Sequence, residues 1–279
     1  MIPDTLDTSP DRYGRISYAA PEDPWPKRFA IRAIERLSGR PAIERRYRAL
    51  RARLERPSDF WQAALDALGV ALRYDERRLA AVPADGPLVV VANHPLGVVD
   101  GLALCALGNR LRPRFQILTN RALCTDPMLD PYLLPVDFAE TREATRTNIA
   151  TKQAALETLS AGGALLIFPA GGIATATGWR GPVVDLPWKR FAARLIQASG
   201  ATVVPIFFYG QNSRLFQLVS QFSLTLRLAL ILHEVRRHRG RPLRIAIGEP
   251  IPFHDLAHLQ DRQALLDVLR QRVEALESG

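Results

Sequence analysis

Several things are scarce in this chain of 279 residues, and each scarcity closes off a class of function. There are two cysteines, Cys105 and Cys124, with neither a C-x-x-C spacing nor a histidine cluster beside them. That excludes a disulfide framework and a thiolate zinc site, and reads as two reduced, small hydrophobes in a cytosolic protein. Lysine is confined to positions 27, 152 and 189, so the net charge of +9 rests almost wholly on arginine. No eighteen apolar residues run uninterrupted, so no membrane-spanning helix is expected. Residues 1–26 hold several prolines and aspartates but no apolar core, which is not a signal-peptide pattern. The chain also lacks a G-x-S-x-G elbow and an H-E-x-x-H pair, and neither Gly162-Gly163 nor Gly171-Gly172 matches a nucleotide-binding fingerprint. His254 and His258 stand four apart, but the first follows Pro252-Phe253 at the approach to the last helix, and no metal is expected there.

What is present starts with a local charge. From Lys27 to Arg56 eleven basic residues face three acids, Glu35, Glu44 and Glu55. A basic face of this kind attracts polyanions, either nucleic acid or an anionic membrane surface, unless it is simply a solvated helix side. No aromatic-basic interleaving and no nucleic-acid motif accompany it, so nucleic acid is not an expected partner.

Residues 1–24, broken by Pro3, Pro10, Pro21 and Pro24, read as an irregular tail. Residues 25–80 read as a helical segment, with helices near 26–38, 41–55 and 58–69 whose apolar positions keep helical spacing. From 81 to 279 the pattern alternates. Apolar, non-alternating strands are predicted at 88–92, 115–119, 133–136, 164–168, 203–208 and 243–247. Helices are predicted at about 100–109, 143–160, 187–199, 212–235 and 259–277. This predicts an α/β fold: a mainly parallel central sheet flanked by helices, with the basic helical segment N-terminal to it.

The first long strand ends at Asn93-His94, and Asp100 follows six residues after the histidine, with Pro95 and Gly97 between them to make a turn. A histidine just beyond a buried parallel strand sits where open α/β sheets place ligands. Imidazole is the natural general base near neutral pH, and an acid nearby orients it. Asp100 also suits the cap of the next helix, and the two roles are compatible. Polar or glycine-rich segments follow three more strands: Asn120-Arg121, Pro169-Ala170-Gly171-Gly172 and Tyr209-Gly210-Gln211-Asn212-Ser213. In a parallel sheet all of them emerge at one edge. With no covalent nucleophile, metal or nucleotide loop in view, His94 and Asp100 would activate a substrate's own hydroxyl or amine. Direct transfer of an acyl group fits.

These residues resemble a known family. Asn93-His94-Pro95-Leu96-Gly97-Val98-Val99-Asp100-Gly101 is similar to the first signature block of the glycerolipid and lysophospholipid acyltransferases. Phe168-Pro169-Ala170-Gly171-Gly172-Ile173 resembles their Phe-Pro-x-Gly block, and Val203-Val204-Pro205-Ile206 their fourth. Asp185-Leu186-Pro187-Trp188 and Gly210-Gln211-Asn212-Ser213 resemble segments of the bacterial hemolysin-like branch, associated with lysophospholipid and ornithine-lipid synthesis. The resemblance covers roughly residues 82–252.

The resemblance implies an O-acyltransferase in which His94, oriented by Asp100, deprotonates a lyso-lipid acceptor. The acceptor then attacks the thioester of acyl-CoA or acyl-carrier protein, a co-substrate in place of any cofactor. Asn93, Gly97 and Gly101 would bind substrate, with backbone N–H groups near Gly97 and Gly101 receiving the oxyanion. Asn120, Arg121, Phe168, Pro169, Gly171, Gly172, Arg180 and Asn212 would face the acceptor, with Arg180 as a cation for an anionic head group. The implied location is peripheral, on the cytoplasmic face of a bacterial inner membrane, against anionic lipid. Three departures matter. Five residues separate His94 from Asp100 where the wider family usually has four, Ala170 replaces a glutamate, and Asn120 replaces a base. They favour a larger or less phosphate-dependent lyso-lipid over lysophosphatidate. Ala170 also keeps open a non-catalytic, membrane-associated lipid binder with a decayed site.

Overall fold

Helical periodicity and apolar runs become elements much where the pattern places them. The computed structural model describes residues 24–37, 39–121, 124, 126–137, 139, 141–178, 181–222 and 224–278. The expected tail lies outside the described residues except for Pro24, and so does Arg180. The described residues open with α1 (Trp25–Leu37), α2 (Arg40–Arg51) and α3 (Phe60–Leu68). A short edge strand β1 (Leu72–Arg73) and helix α4 (Glu76–Ala80) lead to β2 (Leu88–Ala92), α5 (Val98–Leu111), β3 (Phe115–Asn120) and β4 (Leu133–Val136). Then come α6 (Arg142–Ser160), β5 (Ala164–Ile167), a small hairpin of β6 (Thr175–Ala176) and β7 (Val183–Val184), and α7 (Phe191–Ser199). The chain continues through β8 (Thr202–Phe208), α8 (Arg214–Ser220), α9 (Leu224–His238), β9 (Leu243–Ile247), α10 (Phe253–Leu256) and α11 (Arg262–Glu274).

Seven strands form one sheet in the order β1-β9-β8-β2-β5-β3-β4. β2 runs parallel to both its neighbours, β5 and β8, and β3 runs parallel to β5 and β4; β9 is antiparallel to β8. Every residue of β2 is buried because both faces of the sheet are covered. Leu88, Val90 and Ala92 face the layer that holds α3 and α5, while Val89 and Val91 face α6, α7 and α11. Each buried valine contributes about 1.5–3 kcal/mol of transfer free energy, which is why this strand is pure aliphatic. Its rigidity fixes where residue 93 leaves the sheet.

All six expected strands form, and the parallel ends of β8, β2, β5 and β3 lie side by side at one edge. Four differences from the pattern have physical causes. The segment 25–80 is not wholly helical, since β1 joins the sheet beside β9, a run too short to show a period. Residues 175–184 hold a two-stranded hairpin inside what reads as loop. α7 starts at Phe191 rather than 187, because the Lys189 N–H bonds the Pro169 carbonyl and the four residues before it are held at the site described below. The expected helix 212–235 is two helices. α8 is tied to the hairpin by Gln217, whose Oε1 accepts from the Ala176 N–H, and by Gln221, whose Nε2 donates to the Ala176 carbonyl. α9 then packs on α1.

Candidate active site

His94 leaves the carboxyl end of β2 with its backbone pinned on both sides. Its N–H donates to Asp185 Oδ1 at 3.0 Å, and its carbonyl accepts from the Ala174 N–H at 2.7 Å. The imidazole stacks on Phe168 with ring centres 4.0 Å apart and planes 22° from parallel. Nδ1 lies 3.0 Å from Asp100 Oδ1, in contact but not in line for a straight hydrogen bond. Catalytic hydrogen bonds commonly tighten only when substrate binds. Nε2 is neither sealed from solvent nor bonded to a protein group among the described residues.

Asp100 is fully buried in the first turn of α5. Its other oxygen, Oδ2, accepts from the Leu96 N–H at 2.7 Å, so the carboxylate is held by the turn it helps to shape. That turn passes through Gly97 at φ 80° and ψ −109°, a region essentially closed to other residues. A Cβ there would also come within 2.7 Å of Ile173 Cδ1. The fifth residue between His94 and Asp100 is therefore absorbed by a glycine-only bend, and the two side chains still meet.

The remaining sequence-predicted positions fall into three groups. Phe168, Pro169, Gly171 and Gly172 follow β5 directly beside His94, with Gly171 bonding the Phe168 carbonyl at 2.9 Å and Gly172 packed near Leu186. Gly101 lies in the helix, its N–H taken by the Gly97 carbonyl, so the first-turn N–H groups ahead of it are the ones left for an oxyanion. Asn93 sits beside the site, but its amide is bonded to both backbone groups of Phe208, at 2.7 and 3.0 Å, and holds the ends of β2 and β8 together. Asn212 is 2% exposed, and neither amide atom has a partner among the described residues. Asn120 ends β3 and Arg121 follows it, two strands from β2 and so about 10 Å away. Arg121 is held outward by Glu143 at 2.9 Å and Asp137 at 3.5 Å. Arg180 lies outside the described residues.

Comparison with known proteins bears on this arrangement. A family model described as Acyltransferase matches residues 25–278. The chain belongs to this acyltransferase family. Among its relatives are the lyso-glycine lipid O-acyltransferases of Phocaeicola vulgatus, 27% identical, and Bacteroides thetaiotaomicron, 26% identical, each over 203 residues. These matches cover 70% of this chain and 69% and 71% of theirs. The crystal structure of the 1-acyl-sn-glycerophosphate (LPA) acyltransferase PlsC from Thermotoga maritima aligns over 90% of both chains with 17% identity and a TM-score of 0.49.

Two residues of this acyltransferase gain roles that the motif reading did not assign. Asp185 clamps the site, its Oδ1 accepting from the His94 N–H and its Oδ2 from Trp188 Nε1 at 3.1 Å. Burial raises its pKa, and the two donated hydrogen bonds oppose that shift. The Asp-Leu-Pro-Trp segment was a visible signal for it. Arg227, on α9, donates to the Ile173 carbonyl at 2.5 Å. Its signal was a single charge in an otherwise apolar stretch. No group of three or more potential metal ligands occurs among the described residues. None of the described helices is long and apolar enough to cross a membrane.

Proposed function

We propose that this acyltransferase moves a fatty acyl group from acyl-CoA or acyl-carrier protein to the hydroxyl of a lyso-lipid. His94 acts as general base, oriented by Asp100. The observation that carries the reading is the contact of His94 Nδ1 with a fully buried Asp100, which leaves Nε2 open at the edge where four strand ends meet. Nε2 takes the acceptor's proton as its oxygen attacks the thioester carbonyl. The oxyanion is received by first-turn N–H groups of α5, and collapse expels the thiolate, which takes the proton back from the imidazolium. The products are an ester and a thiol. The relatives' names support a lyso-lipid acceptor: glycine carries no alcohol, so in those enzymes O-acylation of a lyso-glycine lipid falls on a hydroxyl of the lipid part. An amino-acid-headed lyso-lipid also fits the alanine at position 170.

Peripheral attachment to an anionic membrane, on the cytoplasmic face in a bacterium, completes the reading, supported by the basic run through α1 and α2. The test is turnover of labelled acyl-CoA and acyl-carrier protein over a panel of lyso-lipids, with His94→Ala alongside. Wild-type transfer to a hydroxyl, and a loss of about 10²–10⁴-fold in the variant, are expected. Full turnover by His94→Ala would remove the mechanism. Specific lipid binding without any transfer would favour a decayed site.

A further inference from the structure

Arg227 carries a charge that nothing among the described residues neutralises. It is half-buried between α9 and the loop after β5, where one guanidinium nitrogen bonds the Ile173 carbonyl and the Cζ lies 5.6 Å from the Phe216 ring centre. Among the described residues no carboxylate reaches it, and burial alone depresses its pKa. Arg112 shows how the same chain treats a structural arginine: it is 5% exposed and donates to the carbonyls of Pro83, Asp85, Leu111 and Gly162. A guanidinium has five N–H donors, and Arg227 has one protein hydrogen bond. None of its nitrogens is both sealed and unpartnered, so the spare donors reach open space. Half-burying a cation without a counter-ion is costly, and such groups gather at functional sites.

Its place is as telling as its charge. The residue after Ile173 donates its N–H to the His94 carbonyl, and Ile173 Cδ1 fills the space beside Gly97. The guanidinium is thus two hydrogen bonds and one peptide link from the His94 backbone, within about 8 Å.

We propose that Arg227 holds the acceptor's anionic head group, and that this group is a carboxylate. The inference rests on the acyl transfer to a lyso-lipid proposed above. A planar fork pairs a carboxylate with two parallel hydrogen bonds. Arg227 brings a single positive charge, which one carboxylate balances one to one. An amino acid joined to its lipid through nitrogen presents the single, planar charge that suits this site.

The test compares an N-acylglycine bearing a hydroxyl on its acyl chain with its glycinamide counterpart and with lysophosphatidate, for wild type, Arg227→Gln and Arg227→Lys. Wild type is expected to favour the carboxylate over the amide by roughly 10- to 100-fold in kcat/KM, mostly through KM. In Arg227→Gln that ratio collapses toward one, and Arg227→Lys keeps part of it because the charge remains and the fork is lost. Equal use of acid and amide by wild type overturns the proposal without needing any variant to fold. So does an undiminished ratio in Arg227→Gln with a wild-type thermal melt, and so does lysophosphatidate as the best acceptor. Wild type that transfers acyl groups to no lyso-lipid from either donor refutes instead the function on which the proposal rests.

Discussion

Asp100 serves two partners with two oxygens, and replacing it separates them. Asparagine can still accept the Leu96 N–H, so Asp100→Asn is expected to melt within a few degrees of wild type. It would present an amide to His94 and select the wrong tautomer, and kcat is expected to fall about 10²–10⁴-fold. In the proposed mechanism the pair acts as a unit, so adding Asp100→Asn to His94→Ala is expected to cost little more, which single-turnover assays can measure. Asp185 gives a prediction about pH. Its pKa in the fold lies above the ordinary 3.8, because burial disfavours the charged form more than the His94 and Trp188 donors favour it. The folded state therefore binds the proton more tightly than the unfolded one. Stability conferred by protonated Asp185 is full below 3.8 and is lost as pH rises through the raised value. In urea titrations across acid to neutral pH, the stability of wild type relative to Asp185→Asn is expected to grow on acidification. A difference that stays flat or shrinks would contradict the assigned shift.

At the scale of elements, the loop after β8 is held by one buried acid. Glu234 on α9 is 1% exposed and accepts from the Ser213 N–H at 2.9 Å and from its hydroxyl at 2.5 Å. The same hydroxyl caps α8 by accepting from the Phe216 N–H. Removing either partner leaves a buried polar group unmatched, so a double-mutant cycle of Glu234→Ala and Ser213→Ala is expected to show a coupling of at least about 1 kcal/mol in chemical denaturation. Much of this architecture was legible in the sequence. Unbroken runs such as 88–92 and 164–167 announce strands because a sheet covered on both faces demands aliphatic residues throughout, and His94, Asp100, Gly97 and Phe168 stood in contiguous motifs. What was not legible depends on long-range partners. No glycine or proline marks the end of α8, because the break is set by Gln217 and Gln221 gripping the hairpin 41 to 45 residues away. Asn93 looked like a site residue because its neighbour is one, yet its amide serves Phe208, 115 residues on. Arg121 stood after a strand end, but the acids that draw it outward come from the loop after β4 and from α6.

Across the whole molecule, charge and exposed apolar surface gather on the same elements. α1 presents Trp25 and Phe29 at 72% and 68% exposure, one turn apart, and α8 with the residues just after it presents Leu215, Leu218 and Phe222. Both helices pack on α9, the element that carries Arg227. Aromatic side chains left in water beside arginines suit an interface, where the rings enter the headgroup region and the cations meet anionic lipid. Each engaged arginine is worth about 1 kcal/mol near such a surface, so three give roughly a 100-fold gain in partitioning. Electrostatic attraction is screened by salt, whereas insertion of rings is much less so. Flotation with phosphatidylcholine vesicles, with and without phosphatidylglycerol, is therefore expected to show binding only to the anionic set at low salt, weakening as sodium chloride rises. The double variant Trp25→Ala/Phe29→Ala is expected to lose the residual binding that survives high salt while keeping its salt slope. Equal flotation with neutral and anionic vesicles at every salt concentration would detach the basic helices from membrane binding. Loss of turnover on detergent-dispersed acceptor in the same double variant would mean instead that α1 supports the site through α9.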